Sequence, residues 1–157
     1  MTLPRMLTGL AITVTATATL SALAPAAQAT AGSARAWGPY SAPGKAAQAS
    51  GTLTATGEDH GDLPTADLVR VSGKLSDNTR GPACGWAVFR VTYRSGSNLP
   101  FREHPVRHCS NRKPKSFSFK YRDVYQVELK VCSERKAAKP SLTCLYAGTW
   151  KTLYLSK

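Results

Sequence analysis

Carboxylates are scarce in this chain. Nine Asp and Glu stand against 21 Lys and Arg, a formal charge of +12. Such an excess says nothing about fold, but it favours anionic partners over cationic ones. No C-x2-C pairing occurs among Cys84, Cys109, Cys132 and Cys144, and no G-x-S-x-G is present, so neither a zinc knuckle nor a serine-hydrolase elbow is written here. Signatures of OB, RRM or zinc-finger nucleic-acid readers are absent, as are internal repeats and helical periodicity beyond the first 29 residues. No cofactor or metal is expected.

Only one long apolar run exists. Met6 to Leu23 carries no charge, follows Arg5, and is Ala/Thr-rich; Pro25 ends it, and Ala27-Gln28-Ala29 forms a small-x-small site. Residues 1–29 therefore read as a signal peptide cleaved after Ala29, or after Ala31 at the next such site. Secretion places the four cysteines in an oxidising setting, where an even count favours two disulfides over zinc. Three pairings are possible. Cys84–Cys109 with Cys132–Cys144 closes the shortest loops, each bridge contributing roughly 3 kcal/mol.

Residues 30–50 are rich in Ala, Ser, Gly and Pro and read as a flexible arm, with Trp37 and Tyr40 the residues that would dock it. Residues 51–157 read as the β domain. Short runs at 52–56, 68–75, 84–93, 116–121, 124–132 and 145–155 are separated by turn residues or breaks. The run at 84–93 is the strongest, and that at 116–121 alternates strictly, with Phe117, Phe119 and Tyr121 opposed by Ser116, Ser118 and Lys120. The expected fold is all-β, a small antiparallel sandwich or barrel of about six strands stapled by two disulfides. Residues 101–114 are expected as an irregular connection, broken by prolines.

The Ala/Thr-rich leader, the Ala/Ser-rich arm, and the strands CGWAVFRVTY (84–93) and VYQVELKVC (124–132) among four cysteines resemble small exported proteins of actinomycetes, many of them without an assigned activity. The resemblance implies a bacterial, extracellular setting. It carries over no functional residue.

Between Arg80 and Lys139 the chain holds fourteen Lys and Arg against four acids. If 116–122 and 124–132 form a hairpin turning at Arg122–Asp123, then Arg112, Lys113, Lys115, Arg135, Lys136 and Lys139 gather at one pole. Such a pole would hold an anionic polymer (cell wall or extracellular nucleic acid) or an acidic protein surface. The aromatics at 117, 119 and 121 face away from the lysines, which favours core packing over base stacking. Two other functions are open: a secreted inhibitor acting through a disulfide-fixed loop at 133–143, and a weak ribonuclease. The second would need Glu103, His104 and His108, beside Arg102 and Arg107, to converge on one phosphate. The acids Glu58, Asp59, Asp62 and Asp67 lack an EF-hand pattern and read as an acidic turn.

Overall fold

In the computed structural model, which describes residues 32–111 and 113–157, the alternation from 116 to 132 does not break at Arg122–Asp123. It runs on as one 21-residue strand. The elements are β1 (Arg35–Ser41), a 3-10 turn (Pro43–Lys45), β2 (Ala47–Glu58), β3 (Ala66–Asp77), β4 (Ala83–Tyr93), β5 (Phe101–His108), β6 (Lys115–Arg135), α1 (Leu142–Tyr146) and β7 (Lys151–Leu155). The order across the sheet is β1-β2-β3-β6-β4-β5, with β7 also on β6. All pairings are antiparallel. Among the described residues the sheet has seven strands, and it is open, not a closed barrel.

The expected hairpin is thus corrected, and the backbone at Arg122–Asp123 is that of a bend and not of a tight turn. A two-residue hairpin turn of the favoured type needs positive φ at both central residues. Here only Asp123 adopts one, at 53°. The pairing with β4 slips at this point, Thr92 facing Gln126 and Tyr93 facing Val124, so that Tyr125 is an extra residue on β6. Such a bulge bends a strand without ending it. Before the bend β6 pairs with β3, and after it with β4. Leu75 lies opposite Lys115 and Ala83 opposite Arg135. The chain between β3 and β4 is too short to let those ends diverge, so β6 folds back and its two halves face each other.

The main core fills the space between the halves. Phe89 of β4 is fully buried and meets Phe117 at 5.5 Å and Phe119 at 4.9 Å between ring centroids. Val69, Val71, Leu75, Val91, Val127 and Leu129 complete it. Phe117, Phe119 and Tyr121 pack against this core.

The 30–50 segment differs from expectation. From Arg35 it is paired structure, and Trp37 is 6% exposed. Trp37, Gly51, Gly73 and Phe117 form one row across β1, β2, β3 and β6. The indole lies over both glycines to reach Phe117, at 6.3 Å and 29° between planes. A Cβ at Gly51 would stand 2.7 Å from the indole, and one at Gly73 2.9 Å from it. The missing side chains are the seat of the tryptophan.

Two further corrections concern 101–108 and 145–155. The first is the edge strand β5, not a loop; Pro105 is tolerated there because an edge strand need not donate on both sides. The second starts as a short helix capped by Ser141, and only Lys151–Leu155 is strand. Both disulfides are formed, Cys84–Cys109 and Cys132–Cys144. They point to an oxidising environment. No described helix is long and apolar enough to cross a membrane. Residues 1–29, expected as a signal peptide, and Arg112 of the expected basic pole lie outside the described residues.

Candidate anion-binding pole

The fold-back brings both ends of β6 to one pole, although by a different route from a hairpin. Arg107, near the end of β5, ties them together. Its guanidinium lies 5.6 Å from the Trp86 ring and donates to the carbonyl of Ala137. Its own carbonyl accepts from Lys115 Nζ at 3.0 Å. His108 Nε2 lies 2.7 Å from the carbonyl of Lys113, and the Lys136 amide donates to Pro82 at 3.3 Å. Cys84–Cys109 anchors the end of β5 to the start of β4.

Lys113, Lys115, Arg135, Lys136 and Lys139 are all exposed. Lys115 meets the 135–137 segment across Arg107, Lys113 adjoins it through His108, and Lys139 stands in the loop that follows. Among the described residues none of the five is ion-paired; the ion pairs are Arg90–Glu128 at 3.9 Å and Arg94–Asp59 at 2.7 Å. The acid nearest in sequence, Glu134, is occupied by the Ser141 amide at 2.7 Å and hydroxyl at 2.5 Å. These partners are neutral, so Glu134 keeps its charge; one carboxylate stands beside five exposed Lys and Arg, and the pole stays net positive. Arg107 was expected beside the pole but not as its joint, for that role depends on β5 being a strand.

On the outer face of β4 and β6 lies a second cationic cluster that the alternation does not disclose. Arg90 sits 4.0 Å from the Trp150 ring and 5.0 Å from Phe101. Lys130 is only 7% exposed; its ammonium donates to Gly148 at 3.0 Å and lies 5.6 Å from Trp150. Burial, and secondarily the charge of Arg90, pulls its pKa below the ordinary lysine value. A small apolar cluster of Trp86, Val88, Cys132 and Cys144 adjoins it.

The acid–base set on β5 is dispersed. Alternation sends Glu103 and Arg107 to one face, Arg102, His104 and His108 to the other. His104 stacks on Phe119 at 4.0 Å and has Tyr121 Oη 3.4 Å from Nδ1; burial lowers its pKa, favouring the neutral ring. His104 and His108 stand about 13 Å apart along the strand. In the acidic turn, Asp59 is spent on the Thr65 amide at 2.7 Å and on Arg94, and the Thr65 bond foremost lowers its pKa.

No family model, curated protein or solved structure matches this chain.

Proposed function

We propose that the chain is an exported, non-enzymatic binding module whose basic pole holds an anionic polymer or an acidic protein surface. One observation carries this reading: two distant segments rich in Lys and Arg meet across Arg107, with no carboxylate partner among the described residues. Chance placement of basic residues on a soluble surface does not require a buried tryptophan and a disulfide to hold the joint. Export follows from the leader at 1–29, and intact-mass measurement of the exported protein should find Thr30 or Gly32 first.

The test is a salt titration on a fluorescent polyanion. With about five phosphates neutralised, log K falls with log salt at a slope of roughly −4.5 for duplex DNA. Lys113→Glu with Lys136→Glu should abolish most of the binding. Arg122→Glu with Lys157→Glu, at the other end of the sheet near Leu68 and His60, should not. Equal loss in both pairs would mean diffuse charge, and no binding at low salt would remove the reading. A second reading, an inhibitor acting through the disulfide-held loop, is favoured by Leu142 and Tyr146, 72% and 75% exposed on α1. A protease-trapping assay separates the two.

A further inference from the structure

Among the described residues no strand occupies the edge of β6 beyond β7. In an antiparallel strand the N–H and C=O of one residue point to the same side, and successive residues alternate. The Lys136 amide bonds Pro82 on the β4 side, whereas the Tyr125 carbonyl accepts from Ser156 on the β7 side. Odd-numbered residues from 125 onward therefore face away from β4. Leu129 is the last of them with a strand partner, Lys151, after which the chain has diverged to α1. Val131, Ser133 and Arg135 present their main chain, over about 13 Å, to no strand among the described residues.

This edge is the floor of a groove of about 570 Å³. One wall is the loop with Ser141 and Ala147, held by Cys132–Cys144 and by the Glu134–Ser141 bonds; Pro43 lines the groove from the β1–β2 connection. Lys130, Arg135 and Lys136 line it as well, against one carboxylate, Glu134, whose oxygens are bonded to Ser141. Lys130 is a nearly buried ammonium with a carbonyl and an aromatic face as its partners, and no carboxylate within ion-pairing distance among the described residues. Exposed strand edges are ordinarily blunted by bulges, prolines or cover. This one follows a bulge at Val127–Glu128 and is walled by α1 and Pro43, which leaves a groove over it.

We infer that the groove takes an extended, acidic polypeptide segment of a partner protein, added as a strand to Val131–Arg135. Main-chain bonds to the edge supply affinity, and the lysines select side-chain carboxylates. The site shares Lys136 with the basic pole but makes a different demand: it reads a peptide backbone, which a phosphate polymer lacks.

The probe is a fluorescent heptapeptide of alternating Glu and Val, and its analogue N-methylated on the amides that face β6. Binding of the first to the oxidised protein should slow hydrogen exchange at the Val131, Ser133 and Arg135 amides and leave Cys132 and Glu134 unchanged. The analogue, equal in charge, should bind at least about tenfold more weakly, the loss of one or more net hydrogen bonds. Ser133→Pro deletes the central donor without altering charge, and should weaken the peptide similarly while leaving the polyanion titration intact. Equal binding of both peptides overturns the proposal. So do edge amides already protected without peptide, which would place a second copy or the N-terminal segment in the groove. Should Ser133→Pro fail to fold, the peptide pair still decides.

Discussion

Trp37 shows what a single side chain can organise. Its Ala replacement empties the seat over Gly51 and Gly73 and strips Phe89 and Phe117 of an aromatic neighbour. The cost should be about 3–5 kcal/mol, as for other buried Trp deletions. Denaturant unfolding measures it, and a loss below about 1 kcal/mol would mean that β1 is an appendage and not part of the core. This residue also marks a limit of sequence reading. Around it stand Ala, Gly, Pro and Ser, a composition that lacks the apolar content to order itself. The ordering comes from glycines on two other strands, and no local pattern announces that an indole will lie across them. Phe117 and Phe119 were legible because their alternation states their face directly.

At the scale of the element, β6 is the decisive piece, and its continuity turns on Asp123. Arg122–Asp123 looks like a turn, being polar, charged and set between two alternating runs. Whether such a pair reverses the chain or bends it depends on which strands are available to each half, and that is settled by β3 and β4, far away in sequence. β5 was missed for a related reason: His, Arg, Glu and Pro are poor strand formers, and the segment is ordered by its ladder with β4. Asp123→Val should therefore destabilise by about 1–2 kcal/mol despite the higher strand propensity of Val, because a β-branched residue is forced to positive φ. Asp123→Gly should not destabilise to that degree. Paired unfolding curves check the order, and a Val variant as stable as the parent would refute the bend as the constraint on β6.

For the molecule as a whole, the disulfides connect fold to proposed function. Cys84–Cys109 holds the end of β5, and with it Arg107. The Cys84→Ser, Cys109→Ser variant should lose about 3.5 kcal/mol of stability by the loop-closure relation for 25 residues. Under conditions where it stays folded, it should also lose polyanion affinity. Retained affinity would show that Arg107 is not needed to join the two halves of the pole. The pairing itself was legible from loop length. The strand that joins the 113–115 and 135–139 segments was not, because a bent β6 and a hairpin carry the same alternation. The connectivity has another consequence. Reading along the chain, each cysteine is bonded to the next one: first to second, third to fourth. A polypeptide entering an oxidising compartment from its N-terminal side meets its correct partner each time as the earliest available thiol. Vectorial oxidation alone then yields the native links, with no wrong bridge to be undone by exchange.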